Sequence, residues 1–272
     1  MSLEKPTVLR IPKIERLEGE SRNAVSFSPE RGGIITSLQF GGQEVLYFDE
    51  STFNDPAKNV RGGVPVLFPN AGPGNEALYP GLKQHGVARL SHDWVKEAAP
   101  DNHLGSFAES LTILLPTPSY PYMFRTGISG SFDEAGVFTL TQSAANLSTE
   151  KEMPVSMGLH PYFKVDNAKR KDIRFDFPGG AIAEERADVW MNDGTVSIDN
   201  PNTDMRVVIP DVGTLVLRAS PEYKKIWIWS KPDGDFVCIE PVMNDEGGLV
   251  NSPHMIAPGA QLSAFLRVAL EK

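Results

Sequence analysis

In the run DIRFDF (residues 172–177) every second side chain is apolar: Ile173, Phe175 and Phe177 alternate with Asp172, Arg174 and Asp176. That spacing suits a strand with one face in a core and the other in water. The same period recurs in FRTGISGSF (124–132), where Phe124, Ile128 and Phe132 share a side. In LSAFLRVAL (262–270), Leu262, Leu266, Val268 and Leu270 lie opposite Ser263 and Arg267. KIWIW (225–229) is apolar on both faces, the pattern of a strand buried from both sides. Turn signals separate such runs: Arg31-Gly32-Gly33, Phe40-Gly41-Gly42, Asn192-Asp193-Gly194 and Asp233-Gly234. With 24 Gly and 22 Pro spread along the chain, no long segment is free to be helical. An all-β chain follows, an antiparallel sandwich or barrel. No repeat or linker divides residues 1–272, so one domain is expected.

Charge and cysteine content remove several function classes. A net charge of −9 argues against nucleic acid, whose phosphates require a clustered basic surface. A small anionic ligand, needing one or two placed arginines, stays open. Cys238 is the sole cysteine, which rules out an intramolecular disulfide and a cysteine-rich structural zinc site. No apolar run reaches membrane-span length, and MSLEKPTVLR lacks the hydrophobic segment of a signal peptide. A cytoplasmic protein without membrane association is the expectation.

One stretch breaks the alternation. Residues 61–94, RGGVPVLFPNAGPGNEALYPGLKQHGVARLSHDW, are rich in Gly and Pro yet carry Val64, Val66, Leu67, Phe68, Leu78 and Tyr79. Too apolar for disorder, they suit a packed loop lining a site.

Motif searches find no GxxxxGK[ST], HExxH or GxSxG, and an EF-hand at 188–194 fails because Trp190 stands where an oxygen ligand is needed. None of the histidines 85, 92, 103, 160 and 254 is paired at zinc-helix spacing, although distant ligands can converge in space. Polar residues in apolar surroundings remain. His160 sits among Met157, Leu159, Tyr162 and Phe163, as a satisfied core histidine or as a proton donor. Glu240 follows Val237, Cys238 and Ile239, either as an exposed strand end or as a carboxylate meeting a cation or working in a cleft. His85 lies in the irregular stretch, flanked by Arg61 and Arg89; each of the three also suits a solvated surface. His plus Glu is the minimum set for acid–base proton shuttling.

RGGVPVLFP (61–69), QHGVAR (84–89), GLHPYF (158–163) and FVCIEP (236–241), in that order and spacing, resemble the aldose 1-epimerase, or galactose mutarotase-like, family. YPYMFR (120–125) and ADVWMNDGTVSIDNP (187–201) match strands of the same family, so the resemblance covers residues 25 to 268. It implies a large antiparallel β-sandwich with a concave sugar-binding cleft. It also implies interconversion of α and β anomers through the open-chain aldehyde, without cofactor or metal. His160 would protonate the ring oxygen and Glu240 would take the proton of the anomeric hydroxyl. That role requires Glu240 to be ionised at neutral pH, hence donors or a cation close to it. His85 would bind the sugar near the ring oxygen, and Asp188 its hydroxyls.

A branch of the family acts on hexose 6-phosphates held by arginines that match Arg61 and Arg89, and guanidinium forks suit phosphate oxygens. Segment 70–81 departs from that branch, and neutral-sugar members also carry RGG, so sugar and sugar phosphate both stand as the small-molecule partner. The chain is expected as a monomer or weak dimer. Rival readings on the same fold are a carbohydrate-binding protein without activity and a lyase- or hydrolase-like enzyme with Tyr162 as base.

Overall fold

Alternating strands close on one another in two large antiparallel sheets. The computed structural model describes residues 12–99 and 105–271; the decapeptide read for a targeting signal and His103 lie outside the described residues. Eight strands form one sheet, in the order Arg174–Asp176, Met205–Ile209, Gly213–Ala219, Gln261–Glu271, Phe138–Asn146, Phe124–Phe132, Phe107–Ile113 and Val95–Glu97. A second, six-stranded sheet runs Val196–Asp199, Lys225–Trp229, Phe236–Val242, Gly158–Leu159 and Val66–Leu67, with Tyr162–Lys164 also pairing to Phe236–Val242. Among the described residues the helices are short, the longest α-helix being Gly180–Glu185. None is long and apolar enough to cross a membrane.

Register converts the sequence period into a core. Leu217 pairs with Val268, Val268 with Phe138, and Phe138 with Phe132, so one apolar row crosses four strands of the larger sheet. From the smaller sheet Val66, Leu159, Ile226, Ile228, Val237 and Ile239 join the same buried cluster. Each such side chain stabilises the fold by about 1.5–3 kcal/mol through burial. This is the antiparallel sandwich anticipated from the alternation.

The smaller sheet's other face is also apolar, but it does not meet a second core. Opposite Ile226 and Ile228, Trp227 and Trp229 project to the far side with Tyr162, Phe236, Cys238 and Val242. KIWIW is therefore apolar on both faces because one builds the core and the other the floor of a pocket.

One carboxyl lies on the wrong side. In Phe107–Ile113, Glu109 shares its parity with Phe107 and Leu111, which both enter the core. It is 1% exposed, and neither carboxyl oxygen has a hydrogen-bond partner. Burial, reinforced by Glu15, raises its pKa to about 8, so the group is largely uncharged at pH 7.

Candidate active site

Strand pairing brings the two sequence-selected groups together. The register that pairs Gly158 with Val242 and Tyr162 with Cys238 leaves His160 opposite Glu240. His160 Nε2 stands 3.4 Å from Glu240 Oε1, and the residues are 5% and 2% exposed. On the next strand Trp227 pairs with Glu240 and Trp229 with Cys238. Tyr162 stacks on the His160 ring at 4.6 Å and 7°, while Trp229 meets it edge-on at 5.7 Å. These contacts fix the imidazole plane before any ligand arrives.

Burial decides the protonation of the pair. It drives the Glu240 carboxyl well above the ordinary carboxylate range, against the nearby charge of Arg89. Burial, followed by the charges of His85 and Arg89, holds His160 well below the usual imidazole value. Both shifts favour the uncharged forms, with the pair's proton on Glu240. Of the donors that an ionised Glu240 would need, none reaches its Oε2. His160 Nδ1 likewise has no partner.

A cavity of about 430 Å³ opens over this floor and is lined by Arg61, His85, Arg89, His160 and Glu240 together. Segment 61–94 supplies three of these, as anticipated, and buries Val64, Val66, Leu67 and Phe68 beneath them. Leu78 departs from the expectation: at 58% exposed, it caps a surface turn rather than lining the site. The glycines after Arg61 and His85 set the backbone. A Cβ on Gly63 would lie 2.1 Å from the Ile35 carbonyl oxygen, and one on Gly86 2.0 Å from that of Phe68. Only glycine allows those approaches.

His85 itself takes a left-handed φ of 63°. Its Nδ1 accepts from the Gly72 amide at 3.0 Å, and the Gln84 side-chain amide lies 3.4 Å from Nε2. Burial and Arg89 lower its pKa to about 3. Arg89 donates to the Gln84 carbonyl at 2.9 Å and leaves its buried Nε without a partner. Among the described residues, no carboxylate lies within ion-pair distance of Arg61 or Arg89.

Two further guanidiniums hold the pocket walls from behind. Arg31, buried, donates to the carbonyls of Phe53 (3.1 Å), Thr52 (3.3 Å), Asp55 (2.8 Å) and Lys58 (2.6 Å). Those carbonyls belong to the short helix Glu50–Phe53 and to the loop that runs from it to Arg61. Across the cavity Arg170 donates to Ser230 Oγ and the Pro232 carbonyl, each at 2.8 Å, beside the cavity-lining Lys231.

Asp188 does not join the site. It is exposed on the short helix Ala187–Trp190, whose Trp190 turns inward to donate to the Ala183 carbonyl at 2.9 Å. Two residues earlier on a helix is about 200° away, which points Asp188 outward. Asp193, in the following turn, lines the cavity instead and accepts from Trp229 Nε1 at 3.1 Å. Asp193, Lys231, Gln84 and the tryptophans were missed by sequence reasoning; only the double-faced KIWIW pattern carried a signal for any of them.

Comparison with known proteins agrees with this architecture. The aldose 1-epimerase family model matches residues 16–176, which include His85 and His160 but end before Glu240. A Cenchrus ciliaris protein provisionally named glucose-6-phosphate 1-epimerase is 25% identical over 179 residues, 57% of this chain and 53% of its own. The chain thus spans about half the length of that curated relative. Among solved structures, the Slr1438 protein of Synechocystis sp. PCC 6803 superposes with a TM-score of 0.83 at 24% identity, covering 99% of this chain and 100% of its own. A galactose mutarotase-like protein of Clostridium acetobutylicum gives 0.69 at 17% identity, covering 96% and 99%. These two likenesses show the fold. The match to more than half of its length makes this chain a member of the aldose 1-epimerase family.

Proposed function

We propose that the protein interconverts the α and β anomers of a hexose 6-phosphate, with His160 and Glu240 as the pair that opens and recloses the ring. The observation that carries this reading is their cross-strand contact at 3.4 Å on the cavity floor, each with one polar atom left unpartnered. Ring opening places a proton on the ring oxygen and removes one from the anomeric hydroxyl. Neutral His160 beside protonated Glu240 has the same proton count as imidazolium beside carboxylate. A bound sugar donates its anomeric hydroxyl to Glu240 and accepts from His160 at the ring oxygen, which favours the charged arrangement. Proton transfer through the sugar then returns the pair to its neutral form as the aldehyde appears. Rotation about C1–C2 presents the other carbonyl face, and the same groups close the ring with roles exchanged.

Arg61 and Arg89 support the phosphorylated substrate, since neither is neutralised by a carboxylate and Lys231 adds a third cation to the lining. The 6-phosphate hangs from the carbon next to the one bearing the ring oxygen, so its clamp must adjoin the acid. Arg89 meets that requirement: its charge is felt at His85, His160 and Glu240 alike. Asp193, rather than Asp188, offers a rim carboxylate for sugar hydroxyls, with Glu246 also in the lining.

Exchange NMR on glucose 6-phosphate, run beside polarimetry on fresh α-glucose and α-galactose, tests the reading. Arg61→Met and Arg89→Met should each raise KM for the phosphorylated sugar by about tenfold or more and spare a neutral one. Equal effects on both would assign the arginines a structural role. Sugar binding without anomer exchange would make the protein a binding module.

A further inference from the structure

We infer that His160, Cys238 and Glu240 form a binding site for a soft divalent cation of the zinc type. Cys238 lies two residues before Glu240 on the same face of Phe236–Val242, and His160 faces Glu240 across the register. Ligand atoms of all three lie within 4.8 Å of one another, and all three residues are buried. Nitrogen, oxygen and sulfur ligands around tetrahedral zinc sit about 3.3–3.8 Å apart, given bond lengths of roughly 2.0–2.3 Å. The 3.4 Å between His160 Nε2 and Glu240 Oε1 already matches one such edge. Cys238 Sγ, within 4.8 Å of both partners, must approach them by roughly 1 Å to complete the set.

One observation independent of the cysteine points to a ligand here. Glu240 Oε2, on a residue that is 2% exposed and lines the cavity, is buried without a hydrogen-bond partner. Unpartnered buried groups of this kind are costly unless something binds them. The ligand set also balances charge. A neutral imidazole, a thiolate and a carboxylate cancel a doubly charged ion, so the occupied site is neutral overall. Any proton held by the thiol or the carboxyl passes to solvent as the ion binds. Three protein ligands leave a fourth position open, and two of them, His160 and Glu240, line the cavity. A sulfur and a nitrogen in the set select zinc or cadmium over magnesium or calcium, which require oxygen cages. The charge of Arg89 nearby opposes the ion and limits its affinity.

Cadmium titration of the purified protein tests the site, because a cadmium–thiolate bond gives an ultraviolet charge-transfer band. Cys238 is the sole cysteine, so any band reports it. The wild type should develop a saturable band, and His160→Ala and Glu240→Gln should each weaken the titration by about tenfold or more, a separation easily read as a shift in Kd. Absence of a band in the wild type, or unchanged titrations in both variants of proven fold, would overturn the site. The ion also excludes a sugar from the pair, a consequence that rests on the proposed function. A saturable, three-ligand band that glucose 6-phosphate fails to displace would uphold the cation site and overturn the placement of the sugar.

Discussion

The Gly72 amide donates a hydrogen bond to Nδ1 of His85 at 3.0 Å, which leaves the imidazole proton on Nε2. His85 is thereby a fixed, uncharged donor at neutral pH, its pKa held near 3 by burial and Arg89. Such a donor favours charge on a sugar oxygen without competing as a base. Replacing it by Phe is expected to lower kcat/KM by about two decades, the usual effect of losing one preorganised donor. Wild-type activity in His85→Phe would return His85 to a packing role.

The His160–Glu240 pair sets the pH profile. With His160 titrating well below 6.5 and Glu240 well above 4.5, the singly protonated pair persists across a broad range. A flat kcat/KM through neutrality is the expectation, its limbs belonging to the pair jointly. Glu240→Gln should reduce kcat far more than sugar binding. A limb at the ordinary histidine value in the wild type would show that His160 is not in this state.

Glu109 makes stability depend on alkalinity. Its folded pKa, about 8, exceeds the ordinary 4.5, so the native state holds a proton that the unfolded chain has lost between those values. Stability therefore falls as pH rises through that window, by about 1.4 kcal/mol per unit from this group, and levels off above it. Glu109→Gln removes the slope. Urea midpoints measured at pH 5, 6.5 and 8 should show a growing advantage of the variant; parallel curves would mean that Glu109 ionises freely.

Arg31 positions the wall that carries Arg61. Four carbonyls, of Thr52, Phe53, Asp55 and Lys58, lose their donor in Arg31→Met, and the segment leading to Arg61 loosens. KM for the phosphorylated sugar should rise by about tenfold while kcat changes little, since the contact displaced is remote from C1. Arg31→Lys should restore only part of the loss, one ammonium being unable to span the same carbonyls. A fall confined to kcat, or an equal effect on a neutral sugar, would show that Arg31 does not act through Arg61.

Much of this was legible in the chain because strands report their faces residue by residue. Phe175 and Ile128 announced a core, and His160 and Glu240 stood out as polar groups in apolar company. Asp193 and Lys231 gave no such contrast, because a charged residue in a turn looks solvated wherever the turn is carried. Their approach to the cavity is set by pairings between distant strands, as Trp229 with Cys238. Glu109 was legible in principle, since Phe107 and Leu111 share its parity, but burial without a partner is not written in a sequence.

The strand Phe236–Val242 has a consequence for how this molecule fails. Val237 and Ile239 face the core while Glu240 lines the cavity and Cys238 packs beside Tyr162 and Phe236, so a slip of one residue would drive Glu240 into the hydrocarbon interior. Chemistry and cohesion share one alignment. A molecule with the pair misaligned is not a folded but idle protein; it has no core. Heat or denaturant should thus remove activity in proportion to the folded population, and turnover becomes a census of intact molecules.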